Sequence, residues 1–387
     1  MSIAVMSQWC AVAYGALDLT SQVENVEGTA CAVTAIYPAE PILLTGEVAN
    51  LWLRLINGPV ADGDLSVEQR NQIREFHDFG IASPNLDHPA RVHKVAPPWL
   101  ESFQHELVYA LIASLAREAG IDAVFIKGPF LKVQGLRTRA HSADVDVLVD
   151  PQHVEHLAEI VSSWGWTSRP AVLEGTRIRH SITLAPSSWG CEVDIHWRMP
   201  GYAKPDNEAF ALIHGRSESH DTASVSIAVP DAPTNAVLGA LHALRPRYTD
   251  RTQLHLVHIA RSFIASGGEQ TVPIAQQLQA DLVLYEVLST EFPGAVPRPT
   301  YAVPQNWQWR SKQGQFRSYM SALKQIPWVE RPAVTWRLVW PPPHFFTTSG
   351  EVKEPTRVNI FKARVNRLWR GLVKTIPVLQ KTIAKRR

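Results

Sequence analysis

Apolar positions along the chain change period several times, and each change predicts a new element. Residues 20–45 alternate weakly between apolar and polar, as in Ala30-Cys31-Ala32-Val33-Thr34-Ala35-Ile36-Tyr37, which predicts a strand or hairpin. Val48, Leu51, Trp52 and Leu55 then recur at helical spacing, with an entry at Thr45 and a stop at Gly58. A second helix is expected from Ser66 to Gly80 with Ile73 and Phe76 inward. Two strands and two short helices make a small N-terminal unit, and the proline-bearing segment Pro84–Pro98 reads as a linker.

From Trp99 the pattern lengthens. Leu100, Phe103, Leu107, Leu111 and Leu115 mark an amphipathic helix ended by Gly120, and Ala123–Ile126 reads as a buried strand leading into Lys127-Gly128-Pro129. Val145, Val147 and Val149 alternate with Asp144, Asp146 and Leu148, so one strand carries two carboxylates on one face. A helix from Pro151 buries Val154, Leu157, Val161 and Trp164, and strands His180–Ala185 and Cys191–Trp197 follow. The expected class is α+β: a mixed sheet flanked by helices, preceded by the small N-terminal unit and followed by a helical region. Beyond Pro200 the chain reads as mostly helical, with Ala236–Ala243 and Leu254–Ile264 the clearest helices. The expected divisions are 1–95, 96–215, 216–300 and a basic, Trp-rich 301–387. A last helix from Val358 to Ile376 is expected to set Phe361, Val365, Leu368 and Leu372 on one side, with Lys362, Arg364, Arg367 and Arg370 around the rest.

Composition narrows the class. Apolar residues make up 45% and charged residues 19% of the 387 positions, an ordinary globular balance that excludes a disordered or fibrous chain. Cys10, Cys31 and Cys191 are too few and scattered for a disulfide framework or a thiolate zinc site and suit a reducing, cytoplasmic setting. No uncharged apolar run reaches the roughly 20 residues of a membrane span. The uncharged opening Met1–Leu17 lacks a basic start and is broken by Ser7 and Gln8, so export is not expected. Charge is unevenly placed: residues 301–387 hold 17 basic and three acidic side chains, a balance of +14, against −12 for residues 1–300. Such polarity implies that the tail meets the acidic body or an anionic partner.

The sharpest chemical signal is Ser142-Ala143-Asp144-Val145-Asp146-Val147-Leu148-Val149. Two like charges converging on one spot of a folded strand need a cation or a proton to relieve them, and Mg²⁺ or Mn²⁺ suits carboxylate oxygens. In Glu192-Val193-Asp194-Ile195-His196-Trp197, alternation puts Glu192, Asp194 and His196 together. Should this strand lie beside the first, Asp194 completes a three-carboxylate set of the kind two-metal phosphoryl chemistry requires. Lys127-Gly128 sits where a strand meets a helix N-terminus, a place that welcomes phosphate, and Arg137 and Arg139 could hold phosphate oxygens.

Lys127-Gly128, Arg139, the Asp144–Val149 strand, His180 and Val193-Asp194-Ile195-His196-Trp197 together resemble the uncharacterised nucleotidyltransferase family, within the polymerase-β-like superfamily. The likeness covers roughly Trp99 to Gly267 and continues thinly into Trp336–Pro343 and the Arg364/Arg367 helix. It implies a minimal nucleotidyltransferase fold that moves a nucleoside monophosphate from an NTP to an acceptor and releases pyrophosphate. By that resemblance Asp144 and Asp146 bind both metals and Asp194 the catalytic one. Lys127, Gly128, Arg139 and Ser142 serve the nucleotide, while His180 and His196 support the site or position substrate. Pro129 stands where better-studied relatives have a serine after the glycine.

The N-terminal strands with Leu43–Trp52 and Asn57-Gly58-Pro59 are similar to small PqqD-type peptide-binding domains, which implies a small winged-helix-like N-terminal domain and uptake of a peptide along a strand edge. A non-catalytic peptide-binding scaffold of natural-product biosynthesis is the competing function. The tail tryptophans sit among apolar neighbours and are expected in the core. The other readings of the tail are a nucleic-acid surface and, at Lys381–Arg387, contact with an anionic membrane.

Overall fold

The computed structural model describes the chain apart from residues 1–6, 23–27, 140–141, 172, 174–175, 177, 246–252, 298, 309–314, 349–351, 353–355 and 385–387. Trp309 and the Lys385-Arg386-Arg387 cluster therefore lie outside the described residues.

A seven-stranded mixed sheet organises the middle of the chain. Its spatial order is Ser217–Thr222, Val225–Pro230, Ala123–Phe125, Asp144–Val149, Glu192–His196, Ser181–Pro186 and Trp166–Ser168. Alternation along the central strands divides two cores. Val145, Val147, Val149, Val193 and Ile195 face the helices Phe103–Glu118 and Val154–Ser163. Val124, Ile126 and Leu148 face a helical layer that includes Asp206–His214, Ala232–Leu244, Gln253–Gly267, Thr271–Gln277 and Asp281–Glu291. Asp144 and Asp146 share the phase of Leu148, so they belong to the face that meets the helical layer.

The sheet extends past position 215. Ser217–Thr222 pairs antiparallel with Val225–Pro230, which joins Ala123–Phe125 in parallel. The expectation of a mostly helical chain beyond Pro200 fails at this hairpin because Ser217–Thr222 is an edge strand made of Ser, Glu, His, Asp and Thr, with no apolar alternation. Trp166–Ser168 adds a further short edge strand beyond those expected. The helix after Pro151 begins at Val154, with residues 151–153 forming the turn that leads into it.

The N-terminal unit holds more strand than its pattern suggests. Gln8–Ala11 and Gly15–Asp18 precede Ala30–Thr34 and Ile42–Thr45, and residues 10–17 are buried throughout, so no polar alternation betrays them. The two helices fall at Gly46–Asn57 and Val67–Asp78, the second entered through a capping box at Ser66 and Gln69. This unit shares the sheet's core: Tyr14, Leu17, Leu19, Ala30 and Ala32 pack with Leu107 and Ala110. At Gly15 an added Cβ would lie 3.0 Å from the Ala110 Cβ and 3.2 Å from Leu107, so glycine lets the strand and the helix approach closely. Backbone bonds from Ala16 to Ala223 and from Asp18 to Ala96 fasten it further.

In the C-terminal region two small clusters replace the expected tryptophan core. Ile178 packs with Ala322, Ile326 and Val334, and Phe346 with Val352, Ile360 and Ala363. Trp328, Trp336 and Trp369 are exposed. The last helix, Arg357–Ala384, packs through Ile360 and Ala363, leaving Phe361 and Val365 in solvent. Arg364 and Arg367 complete the packed side, lying over the Trp340 and Phe345 rings. Among the described residues no helix is long and apolar enough to cross a membrane, and all three cysteines are free.

Candidate active site

The two acidic strands lie side by side in parallel. Glu192 pairs with Asp144, Asp194 with Asp146 and His196 with Leu148, so the carboxylates of all three aspartates share one sheet face. Asp146 is the buried centre. Its Oδ1 accepts from Lys127 Nζ at 2.8 Å and from His196 Nε2 at 2.7 Å, and both partners are themselves buried. Burial would raise its pKa, but the Lys127 charge and the His196 contact outweigh this and hold the carboxyl well below the usual range. Asp144 lies nearer solvent and shifts the other way: burial, then the charges of Asp146 and Asp194, push it up. Ser142 Oγ donates to the Asp144 carboxylate at 3.2 Å.

Asp194 Oδ1 is buried without a hydrogen-bond partner among the described residues. Leaving such an acceptor unpaired costs about 1–3 kcal/mol, more for a charged group. Donor atoms of Asp146, Asp194 and His196 all lie within 4.8 Å of one another, a donor set able to hold a metal ion. His196, expected in a supporting role, thus stands among the candidate ligands, while Asp144 is outside that tight group although its charge is coupled to both aspartates. His180 lies 5.9 Å from His196, ring to ring, and its Nε2 is 2.9 Å from an Arg245 nitrogen.

Lys127 reaches Asp146 because the backbone turns sharply at the strand end. Lys127 and Gly128 both adopt left-handed conformations, with φ of 60° and 54°, which is costly for lysine. The turn is held by Asn235 Oδ1, which accepts from the Lys127 N–H at 2.8 Å, and by Arg137, which donates to the Gly128 carbonyl at 2.6 Å. Gly128 is required sterically as well, since a Cβ there would overlap the Tyr109 hydroxyl. The helix beyond is a single turn, Phe130–Val133, so its dipole supplies less to a phosphate than a long helix would. Arg139 is exposed beside the site, and its charge is felt at Arg137.

His105, Tyr109 and Gln134 also build the site yet look like ordinary helix residues in sequence. His105 Nε2 lies 3.2 Å from the Asp144 carbonyl and stacks on Tyr109, while Gln134 Oε1 accepts from Asn235 at 2.9 Å. Asn235 does carry a signal: it is a fully buried amide inside the apolar run Ala236-Val237-Leu238 and its neighbours.

Residues 101–289 match the family described as Uncharacterised nucleotidyltransferase. The match begins beyond the N-terminal unit and lends no support to a PqqD-type assignment of residues 1–95. No curated protein sequence matches the chain. Two solved structures are similar: the antibiotic-resistance factor ANT(2'')-Ia, at 15% identity and TM-score 0.31, covering 49% of this chain and 94% of that one. The other is an antigenic nucleotidyltransferase-like protein from Paracoccidioides brasiliensis, at 12% identity and TM-score 0.33, covering 52% and 97%.

Proposed function

We propose that this chain is a divalent-metal-dependent nucleotidyltransferase that moves a nucleoside monophosphate from an NTP to a hydroxyl or phosphate of a small-molecule or peptide acceptor. The observation that carries this reading is the parallel register that sets Asp194 beside Asp146 on the face bearing Asp144. The family match over residues 101–289 supports it.

The residues fit a hard cation. Three carboxylates share one face, one of their oxygens is buried and unpartnered, and oxygen donors suit Mg²⁺, with an imidazole nitrogen better tolerated by Mn²⁺. Asp144, Asp146 and Asp194 would hold such ions, which supply neutralisation of charge developing on the attacking and leaving oxygens. The acceptor oxygen forms a bond to the α-phosphorus while the bond to the bridging oxygen breaks, and pyrophosphate leaves with that electron pair. Asp194 orients the acceptor hydroxyl and takes its proton. Lys127 keeps Asp146 ionised, and the left-handed Lys127-Gly128 turn, packed on the Tyr109 hydroxyl, holds the ammonium in place. The exposed Arg139 would meet the outer phosphates, Ser142 positions Asp144, and His196, bonded to Asp146, would line the acceptor side with the neighbouring His180.

The test is an NTP screen with labelled α-phosphate and Mg²⁺ or Mn²⁺, offering peptides, sugars and the protein itself as acceptors. Transfer that disappears in Asp144→Asn and Asp146→Asn proteins with intact folds is expected. Full-rate transfer by Asp146→Asn would overturn the assignment. Weak NTP binding unaffected by Asp144→Asn, with no transfer, would favour the non-catalytic peptide-binding scaffold instead.

A further inference from the structure

Over residues 357–370 the helix Arg357–Ala384 has two apolar faces, and the fold uses one of them. On the packed side Ile360 and Ala363 join Phe346 and Val352. Arg364 donates to the Pro341 carbonyl at 2.8 Å and lies 4.8 Å over the Trp340 ring, and Arg367 lies 4.9 Å over Phe345. Val358, Phe361, Val365 and Trp369, three or four residues apart, form the opposite stripe and are 61%, 57%, 44% and 67% exposed. The stripe continues onto the helix Arg331–Val339: the Phe361 ring is 6.1 Å from Trp340, which stacks at 6.3 Å on the exposed Trp336.

A contiguous apolar stripe of this length in water marks an interaction surface. Charge selects the partner. Across Arg357–Ala384 the sequence has seven basic residues and no acidic one. A second copy would bring the same positive charge against it, which disfavours self-association. Single-stranded nucleic acid would satisfy the charge, but Val358 and Val365 make half of the stripe aliphatic and offer no ring for a base to stack on. An aliphatic and aromatic stripe containing tryptophan, on a helix whose only charges are basic, matches an interfacial helix that lies in the plane of a bilayer. No described helix is long and apolar enough to cross a bilayer.

We propose that this face docks on an anionic lipid bilayer, with Phe361, Val365 and Trp369 entering the headgroup boundary and the exposed Arg357, Lys362 and Arg370 meeting lipid phosphates. The proposal is independent of the nucleotidyltransferase reading, and its test uses no NTP. Full-length protein is floated with vesicles of phosphatidylcholine alone or of equimolar phosphatidylcholine and phosphatidylglycerol. Binding to the anionic vesicles at low salt, weak binding to neutral ones and release at high salt are expected. The double substitution Phe361→Ser with Trp369→Ser should weaken binding by at least about tenfold. Its thermal transition should match the wild type, because both side chains are exposed.

No flotation with anionic vesicles at low salt would overturn the proposal, as would a double variant that floats like the wild type. So would a homodimer in sedimentation velocity that the same double substitution dissociates. Binding to single-stranded RNA that the double substitution abolishes, without vesicle binding, would likewise replace it.

Discussion

Asp146 gathers three neighbours with opposing effects: Lys127 and His196 stabilise its charge, and Asp194 adds a second charge across the strand pair. Removing the cation from such a buried pair is strongly destabilising, so Lys127→Met should cost about 3–5 kcal/mol in urea unfolding of metal-free protein. Asp194 behaves in the opposite sense. Its unpartnered oxygen is a cost in the metal-free state, so Asp194→Asn should raise metal-free stability by about 1 kcal/mol while removing divalent-cation binding. A parallel loss of stability in that variant would contradict the picture. Asp146 also sets a pH dependence. Its folded pKa lies below the unfolded value of about 3.9, so between the two the unfolded state binds more protons. Its contribution is present above pH ~4 and is lost as pH falls through the folded pKa. Urea melts at descending pH should therefore show a shallower loss for Asp146→Asn than for the wild type.

The elements that carry these residues differ in how far the sequence declares them. Strand Asp144–Val149 and strand Glu192–His196 announce themselves by alternation, which also separates their acidic face from their valine and isoleucine face. Their pairing does not: whether Asp194 meets Asp146 depends on parallel register between segments some fifty residues apart, a tertiary fact that local pattern cannot encode. Polar Ser217–Thr222 and the wholly buried 10–17 stretch escape for opposite reasons, one lacking apolar positions and the other lacking polar ones. The last helix shows a further gap, since its apolar residues line two faces and the periodicity does not say which one packs. The Lys127-Gly128 turn links element to chemistry. Gly128→Ala adds left-handed strain of about 1–2 kcal/mol and a clash with Tyr109, and should lower the thermal midpoint and nucleotide affinity together. Asn235→Ala leaves the Lys127 N–H unpaired and should cost about 1–3 kcal/mol in urea unfolding.

At the scale of the molecule, the N-terminal unit is part of the same packed body as the sheet. Tyr14, Leu17 and Leu19 share a core with Leu107, and Gly15 lies against Ala110. A fragment of residues 96–387 would expose that surface and should show a lowered, less cooperative thermal transition than the full chain. The acidic body holds the carboxylate cluster, while among the described residues the basic tail contributes no ligand to it and turns its apolar stripe outward. Everything proposed for catalysis rests on the aspartates at 144, 146 and 194 acting as one cation site. Mn²⁺ binding to the full chain, followed by electron paramagnetic resonance in the presence of NTP, tests this most directly. Saturable binding that Asp194→Asn and Asp146→Asn each weaken by at least about tenfold, with the fold retained, is the predicted result. Mn²⁺ affinity left unchanged by Asp194→Asn would contradict it.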